Sequence, residues 1–559
     1  MIFDNSFLYK SLSELGVIEK TLLDDAYEEA KELGQPFAEM LLQRDLISDE
    51  NLGVLVADML KVPFIRLDKV SLDREVIEKM PEEMARARGI IVFKIDETAT
   101  HVAMSNPSDL LSVTFLKKKI NRPIKIYYAT DRDIRTALFA YRKDVSAMFE
   151  EIISKNVGEV DDEKDETPII RIVETMLVYA YQSRASDIHV EPMEDTTQVR
   201  FRIDGVLHDV IALPKKLESQ LVSRVKIMSS LPTDEHAAAL DGKFEFEVPD
   251  MERIDVRVSI LPATNGERIV MRILAGNIQQ FALLDLGFSD KDIKKVREAY
   301  TKPYGMVLAT GPTGSGKTTT MYAFLKIMNK RNVNIMTIED PVEYQIKGIN
   351  QIQVNPKTNL TFSAGLKSIV RQDPNIILVG EIRDEETAGI AVNAALTGHL
   401  VLSTLHTSDA ATTIPRLLEM KVEPFLIASS LNLIVAQRLV RKICTNCRES
   451  QVIETELIKG EIPEGLIKKF LEQTKKGISL YKGKGCPVCR GTGYVGRVGI
   501  YEVMTMSDSL REAIMKKTDA EEIKKIAIKE GMTTMLEDGL VKVKMGVTTI
   551  DELLRVIKE

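Results

Sequence analysis

Apolar positions recur at helical spacing near both ends of the chain, whereas the central part alternates between short apolar runs and helical segments. Residues 1–65 are predicted to form a module of short amphipathic helices, in which residues 17–23 and 46–52 are weakly similar at an offset of about 29 positions. Residues 66–150 mix helical spacing with short alternating runs, which predicts a small α/β domain. From residue 286 onward, apolar runs alternate with helical segments, as in a parallel sheet covered by helices.

Two further segments lie between these regions. Residues 151–168 are acidic, are almost free of large apolar side chains and end in Pro168, so they predict a flexible linker; a solvated helix end is the alternative. Residues 169–285 open with a helical pattern and continue into alternating strands, one of which ends in the hairpin signal Asp204-Gly205. The whole chain is therefore predicted to be a multidomain α/β protein.

Composition narrows the class of protein. A chain of 559 residues is too long for one core and predicts three or four domains. Its 44% hydrophobic and 28% charged residues are typical of globular proteins, and the net charge of −8 argues against direct binding of nucleic acid. The sequence contains neither a secretion signal nor an apolar run of about 18 residues, so we expect a cytoplasmic protein.

A phosphate-binding loop is predicted directly after the apolar run 304–310. The sequence from Gly311 to Thr318 fits the pattern G-x-x-x-x-G-K-[ST], in which backbone N–H groups and the start of the next helix bind phosphates. Lys317 is expected to contact the β- and γ-phosphates, and the Thr318 hydroxyl to bind Mg²⁺. The predicted nucleotide contacts are Gly311, Pro312, Thr313, Gly314, Ser315, Gly316, Lys317, Thr318 and Thr319.

Acidic residues follow two of the predicted strands. Glu339, Asp340 and Glu343 come after the strand 334–338, and Glu381 comes after another buried strand. Ligands of open α/β sheets bind at the carboxyl ends of strands, so these acids are expected near the phosphates. Glu381 replaces the aspartate that usually binds Mg²⁺, and Glu343 is expected to orient or deprotonate the attacking water. Glu339 and Asp340 are predicted to contact the nucleotide.

Two histidines bracket the next predicted strand. His399 is predicted to contact the nucleotide and His406 to take part in catalysis, because both flank a strand beside the predicted site. The alternative is that both histidines are ordinary core or turn residues. The acids have an alternative as well, since they could cap helices or pair with Arg371 and Arg383.

The four cysteines form two Cys-x-x-Cys pairs, which in a cytosolic chain indicate a metal rather than disulfides. Four thiolates suit tetrahedral Zn²⁺ with no open position, so the metal would be structural. Redox-active pairs are the alternative. The predicted zinc ligands are Cys444, Cys447, Cys486 and Cys489.

Four motifs occur in an order that resembles a known family. The phosphate-binding loop and residues 339–343, 376–384 and 397–407 are similar to the Walker A, Asp box, Walker B and His box of the secretion ATPase superfamily. Upstream, residues 185–192 and 200–205 resemble the PAS-like subdomain of that family. The resemblance covers nearly the whole chain.

The resemblance implies a fold and an assembly. Residues 286–559 would form a RecA-like ATPase domain with a zinc-binding insert at 444–489 and a helical C-terminal part, preceded by a PAS-like subdomain at 169–285. Family members form homohexameric rings in which ATP and Mg²⁺ lie between the two subdomains and arginines complete the site. The matching positions are Arg257 and Arg272. A plain surface role is the alternative for both arginines.

The family contains pilus extension, pilus retraction and secretion motors. Retraction members usually lack the long N-terminal region and the cysteine pairs, and residues 423–440 resemble extension motors more than secretion motors. The resemblance thus implies a motor for type IV pilus assembly, held at the inner-membrane face through a membrane platform protein and other pilus or secretion components. A type II secretion or DNA-uptake motor, and a nucleotide-dependent regulatory scaffold with little turnover, are the alternatives. The sequence departs from the family at Lys243, where arginine is usual.

The N-terminal helices resemble a domain that binds cyclic di-GMP in some pilus motors. Glu14-Leu15-Gly16 stands where Arg-Leu-Gly would be expected, and the missing arginine removes a phosphate partner. Cyclic di-GMP is therefore one candidate ligand of this module. Docking on a membrane-bound partner is the other interpretation.

Overall fold

The computed structural model describes the whole chain apart from residues 1–4, 17, 33, 45, 48, 68–69, 71, 121, 142–166, 249–252, 276–282, 454–459, 472, 475–476 and 559. Most of the predicted linker at 151–168 lies outside the described residues. The chain divides into two compact units, one containing residues 49–279 and the other containing residues 3–48 together with 280–559. This division runs through the predicted helical module 1–65.

The first part of the 49–279 unit is a small α/β domain, which we call the N-terminal α/β domain. Its strands lie in the order Ile90–Ile95, Thr100–Met104 and Ile124–Tyr128, with an antiparallel first pair and a parallel second pair. The first two strands are buried along most of their length, so helices rather than water cover them. The helices are Asp49–Leu60, Arg74–Ile77, Glu82–Arg88, Leu110–Ile120, Asp131–Ala137 and the 3-10 turn Leu138–Tyr141.

The second part of this unit is an antiparallel six-stranded sheet. Alternate side chains point to opposite faces, so Phe201 is fully buried against the helices while Arg200 lies on the polar face. The predicted hairpin at Asp204-Gly205 is confirmed, because Ile203 pairs with Val206 across it. The helices are Thr167–Gln182 and Glu218–Met228. The strand order is Val206–Pro214, Thr196–Ile203, Ala185–Pro192, Gly266–Ala275, Arg253–Ala263 and Leu240–Glu247.

The other unit contains a seven-stranded sheet in which every pairing is parallel except the last. Its central strands are continuous apolar runs because helices cover both faces, which confirms the predicted parallel sheet. The strand order is Asn350–Gln353, Ile335–Glu339, Ile376–Val379, Leu400–Leu405, Gly305–Thr310, Leu431–Ile443 and Tyr494–Thr505. The helices are Leu283–Leu286, Asp290–Tyr300, Lys317–Met328, Phe362–Ile369, Glu385–Leu396, Thr413–Glu419 and Pro424–Ser430.

An insert separates the last two strands of this sheet. It contains the antiparallel strands Arg448–Ile453, Gly477–Gly483 and Gln473–Thr474, and the helix Glu464–Phe470. Isoleucine and leucine side chains of the insert belong to the same apolar core as the main sheet, so the insert packs on the seven-stranded sheet and its helices.

The C-terminal part is helical, as the sequence predicts. Ser507, Asp519 and Thr534 each accept a hydrogen bond from a backbone N–H three residues later, which fixes the first turn of three helices. An apolar stripe of each helix packs into the core of the main sheet. The helices are Asp508–Met515, Ala520–Lys529, Met535–Lys544 and Ile550–Lys558.

Three short helices, Asn5–Leu15, Lys20–Glu32 and Phe37–Gln43, lie near the N-terminus. Their contacts are aromatic as well as aliphatic, since the rings of Tyr27 and Phe37 meet edge to face at 5.2 Å. In the part of the chain that the structure describes, every helix is too short or too polar to cross a bilayer.

Candidate nucleotide-binding and metal sites

The phosphate-binding loop lies at the carboxyl edge of the seven-stranded sheet. The preceding strand Gly305–Thr310 is fully buried, and its last residue is in register with Leu405 and Ala436 of the neighbouring strands. Gly311 has a φ of +149°, and a Cβ added there would lie 2.4 Å from the Gln437 carbonyl oxygen. Only glycine lets the backbone pass this close to the adjacent strand.

Lys317 begins the helix after the loop and is only 8% exposed. Its Nζ donates to the carbonyl oxygens of Gly311 at 2.8 Å and Pro312 at 3.1 Å. Burial lowers the pKa of Lys317 to about 8, while the charge of Glu381 acts in the opposite direction. A buried cation with only carbonyl partners is suited to receive an anion, since phosphate oxygens would replace those carbonyls.

Most of the other predicted loop residues are exposed or half-buried, whereas Gly311 and Ser315 are buried. Pro312, Thr313, Gly314 and Thr318 are exposed, and Thr319 is half-buried. Thr318 lies in the first turn of the helix Lys317–Met328, where its hydroxyl can reach a metal bound beside the phosphates. The exposed loop residues therefore lie within five positions of the buried Lys317 in the sequence.

Gln437 is a contact that the sequence interpretation missed. This side chain is 1% exposed on the strand Leu431–Ile443, and its Nε2 donates to the Ser315 carbonyl at 2.8 Å. The Ser315 hydroxyl beside it is buried and has no described hydrogen-bond partner. A polar side chain inside an otherwise apolar run was the available signal, because a buried amide needs a specific partner.

Glu381 follows the strand Ile376–Val379 and lies close to Lys317. In the sheet, one strand separates Ile376–Val379 from Gly305–Thr310. Its side chain is 13% exposed, with Arg383 Nη2 at 2.5 Å from one oxygen and His406 Nε2 at 3.3 Å from the other. The same carboxylate raises the pKa of Arg383 above its usual value through a hydrogen bond. The structure thus brings Glu381, His406 and Lys317 together, and the Arg383 pairing considered as an alternative is also present.

The acids after the strand Ile335–Glu339 differ in their surroundings. Glu339 is 3% exposed, and it accepts hydrogen bonds from Thr337 Oγ1 at 2.6 Å and from the Tyr322 hydroxyl. Asp340 is exposed, whereas Glu343 is half-buried, and the backbone N–H of Glu343 donates to Tyr322 Oη at 3.4 Å. Glu339 is therefore held by partners inside the domain, and the two other acids lie nearer the surface.

His399 and His406 lie at opposite ends of the strand Leu400–Leu405. The His399 ring nitrogen Nδ1 lies 2.9 Å from the Ala394 carbonyl oxygen, and Gly305 N–H donates to the His399 carbonyl. The six-residue strand Leu400–Leu405, about 20 Å long, separates His399 from the end of the sheet that carries the phosphate-binding loop. His399 therefore lies at the other end of this strand from the loop, and its contact with the nucleotide stays a prediction.

Arg257 and Arg272 lie on the polar face of the six-stranded sheet, in the 49–279 unit. They are directly opposite each other on adjacent strands, and Lys243 is opposite Arg257 on the next strand. Arg272 is 61% exposed, and its Nε donates to Asp187 at 3.0 Å. The register therefore forms a row of three cations across this face.

The four cysteine sulfurs form a compact cluster within 4.8 Å of one another. The Sγ–Sγ distances are 3.8 Å for Cys444–Cys486, 3.8 Å for Cys447–Cys489 and 3.7 Å for Cys486–Cys489. A tetrahedron with Zn–S distances of about 2.3 Å has edges of about 3.8 Å, so these side chains fit a zinc ion.

The hydrogen bonds around the cysteine cluster favour thiolates. Backbone N–H groups of Cys486 and Gly493 donate to Cys489 Sγ at 3.1 and 3.2 Å, and Asn446 Nδ2 donates to Cys486 Sγ at 3.3 Å. Burial raises the pKa of Cys444 to about 12. Burial acts in the same direction on Cys486, but the Asn446 donor and further hydrogen bonds outweigh it and lower the pKa of Cys486 to about 6.

Comparison with known proteins agrees with this architecture. The family described as "Type II/IV secretion system protein" matches residues 162–555, and the MshEN domain matches residues 60–147. The type IV pilus assembly ATPase PilB of Myxococcus xanthus is 40% identical over 97% of this chain and 98% of its own length. The type II secretion system ATPase E of Vibrio cholerae is 44% identical over 71% of this chain and 77% of its own length.

A solved structure confirms the fold expected from the resemblance. The Legionella pneumophila ATPase DotB superposes with a TM-score of 0.51 over 70% of this chain and 96% of that protein, at 21% identity. The predicted multidomain α/β fold with a RecA-like P-loop core is therefore confirmed. The match over residues 162–555 and the near full-length relative lead to one conclusion: the chain belongs to the type II/IV secretion system protein family, a family of ATPases.

Proposed function

We propose that this chain hydrolyses ATP and uses the free energy to drive the assembly of type IV pili. The observation that carries the proposal is the convergence of Lys317, Glu381 and His406 at the carboxyl edge of one parallel sheet. A buried cation with carbonyl partners provides a phosphate site, and a partly buried carboxylate nearby provides a metal or water ligand. Near full-length similarity to a pilus assembly ATPase supports the biological role.

The roles in the reaction follow from position. The backbone of the loop Gly311–Gly316 and the Lys317 ammonium would bind the phosphates, and Thr318 would hold Mg²⁺, which neutralises charge on the transferred phosphoryl group. Glu381, fixed by Arg383 and His406, would hold the metal or its water. Glu343 is proposed to orient the attacking water.

The arginines of the polar sheet face are proposed to complete the site. In a ring of six copies, Arg257 and Arg272 would stabilise the charge that develops on the transferred phosphoryl group. Their register supports this role, because it places two guanidinium groups side by side on one polar face of the sheet, with Asp187 beside Arg272. We further propose that the ring acts on an inner-membrane platform protein and is held at the membrane by such partners.

The four cysteines are proposed to hold a structural Zn²⁺. All four positions of a tetrahedron are filled by sulfur, so no site remains for a reacting water. The ion would tie the start of the insert 444–489 to its end and keep it packed on the ATPase domain.

A type II secretion motor is the second candidate. It is favoured by the 44% identity to a type II secretion ATPase, which extends over 71% of this chain. The pilus role is preferred because the pilus assembly relatives cover the N-terminal region as well. A DNA-uptake motor shares the same core. A regulatory scaffold with little turnover is disfavoured, because Lys317, Glu343 and Glu381 are all present.

Two experiments test the proposal. Phosphate release by the purified protein should require Mg²⁺ and ATP and should fall by at least about a hundredfold in Glu381→Gln. Equal rates for wild type and Glu381→Gln would refute the motor function. Deletion of the gene should remove surface pili while secreted proteins are unchanged, and the opposite phenotype would establish the secretion role.

Cyclic di-GMP is the proposed second ligand, based on the match of residues 60–147 to the MshEN domain. Glu14 lies outside these matched residues, and at that position a carboxylate would repel a phosphodiester that an arginine would bind. Titration of the full chain with cyclic di-GMP, using Glu14→Arg as a comparison, tests this. Tighter binding by the variant supports the site, and no binding by either protein excludes it.

A further inference from the structure

A polar network connects the helix after the phosphate-binding loop to the segment that carries Glu343. Tyr322 lies on the helix Lys317–Met328, five residues after Lys317, and is 0% exposed. Glu339 ends the adjacent acidic strand, and Gln351 lies on the edge strand beside it. We call these three side chains the polar network; Tyr322 and Glu339 are buried, and Gln351 is half-buried.

The carboxylate of Glu339 is the centre of this network. It accepts hydrogen bonds from Thr337 Oγ1 at 2.6 Å, from Gln351 Nε2 at 3.3 Å and from the Tyr322 hydroxyl. Burial and the nearby Glu339 charge raise the pKa of Tyr322 well above its usual value, so the phenol keeps its proton and donates it. These donors satisfy the buried Glu339 side chain inside the domain, because a buried polar group is stable only with hydrogen-bond partners.

The same side chains hold the segment on both sides of Glu343. The Glu343 N–H donates to Tyr322 Oη at 3.4 Å, and the Ile346 N–H donates to Gln351 Oε1 at 2.7 Å. Gln351 Nε2 also donates to the Tyr344 carbonyl at 3.1 Å. The rings of Tyr322 and Tyr344 meet edge to face at 4.7 Å, which adds a packing contact to these hydrogen bonds.

We propose that Tyr322, Glu339 and Gln351 are positioning residues that fix residues 340–346 and thereby aim Glu343 at the phosphate-binding loop. This inference rests on the proposed ATPase function, with Glu343 as the residue that orients water. Tyr322 belongs to the helix that starts at Lys317, so the network also fixes the position of Glu343 relative to the phosphate-binding loop. Turnover should therefore depend on the network, whereas the affinity for ATP should not.

Tyr322→Phe is the sharpest test, because it removes only the hydroxyl and keeps the ring that packs on Tyr344. We expect kcat for ATP hydrolysis to fall by at least about tenfold, since a misplacement of about 1 Å costs up to about a hundredfold in rate. KM for ATP should change by less than about twofold. Tyr141→Phe is the matched control, because it also removes a buried phenol, one that donates to the Ile77 and Met80 carbonyls in the N-terminal α/β domain.

A double-mutant cycle separates positioning from general loss of stability. Glu339→Met should lower kcat as Tyr322→Phe does, and the double variant should be little worse than either single variant, because both remove the hydrogen bond between these two side chains. If Tyr322→Phe does not fold, Gln351→Met tests the same inference. Gln351 lies on the edge strand, and its replacement removes the hydrogen bonds to Tyr344 and Ile346, so kcat should fall in the same way.

The outcomes distinguish this inference from the proposed function. A wild-type protein that hydrolyses no ATP refutes the function itself. An active wild type with Tyr322→Phe within about twofold of its kcat overturns the positioning role. An increase in KM at unchanged kcat, or fully additive losses in the double variant, would overturn it as well.

Discussion

Replacing Cys486 with serine is expected to weaken zinc binding and to release the insert 444–489 from the ATPase domain. Cys486 Sγ lies 3.8 Å from Cys444 Sγ and 3.7 Å from Cys489 Sγ, so it is one corner of a tetrahedron. If about 10–16 kcal/mol of zinc binding is shared by four ligands, the loss of one thiolate costs roughly 2.5–4 kcal/mol. That loss corresponds to an affinity about 60- to 700-fold weaker.

Metal analysis and X-ray absorption provide the measurement. Wild-type protein purified without chelators should contain one zinc per chain, with four sulfur neighbours at about 2.3 Å. Cys486→Ser should lose zinc to a competing chelator at concentrations that leave the wild type intact, and proteases should then cut within residues 444–489. Thr445→Ser is the matched control, because Thr445 is exposed between two cysteines.

Three results would refute the zinc assignment. Wild-type protein without zinc whose four thiols all react freely would contradict it, and so would an absorption spectrum with nitrogen or oxygen ligands. Full zinc retention by Cys486→Ser in the presence of the chelator would show that Cys486 is not a ligand.

Other predictions concern the phosphate-binding loop. Gly311→Ala should abolish nucleotide binding in a fluorescent-nucleotide titration, because its Cβ would lie 2.4 Å from the Gln437 carbonyl oxygen. Gln437→Leu should lower the free energy of unfolding by about 1–3 kcal/mol in a denaturant titration, since the buried Ser315 carbonyl loses its donor. The pKa of Lys317 is lowered to about 8, so above about pH 8 this side chain is mostly neutral in the free protein. ATP binds the charged form, so binding above about pH 8 must take up a proton. Affinity for ATP should therefore decline as pH rises above about 8, and calorimetry in buffers of different ionisation enthalpy should detect the proton uptake; Lys317→Arg should lack this dependence.

The sequence predicts the parts of the site that depend on local pattern. The loop 311–318 follows a buried strand and begins a helix, and the two cysteine pairs need only their spacing to indicate a metal. Parallel strands of a covered sheet are continuous apolar runs, so the strand that precedes Glu381 could also be predicted. These features are set by neighbours along the chain, and they are the ones that the structure reproduces.

Features that depend on distant partners could not be predicted in this way. Glu339 looks like the other acids in sequence, but its environment is set by Tyr322 on a helix and by Gln351 on the edge strand. The sequence marks Gln437 as a polar residue in an apolar run, but its partner, the Ser315 carbonyl, is known only once the strand lies beside the loop. His399 and His406 are close in sequence, but the strand Leu400–Leu405 between them places them at its opposite ends.

The strand Leu431–Ile443 connects the phosphate-binding loop to the cysteine cluster. Gln437 near its middle donates a hydrogen bond to the Ser315 carbonyl of the loop, and the residue after its end is Cys444. Seven residues, or about 23 Å, separate these points, and the strand is hydrogen-bonded to the edge strand Tyr494–Thr505 along most of that length. A strand that is paired along its length resists stretching. The phosphate-binding loop and the cysteine cluster can therefore move along the strand axis only together.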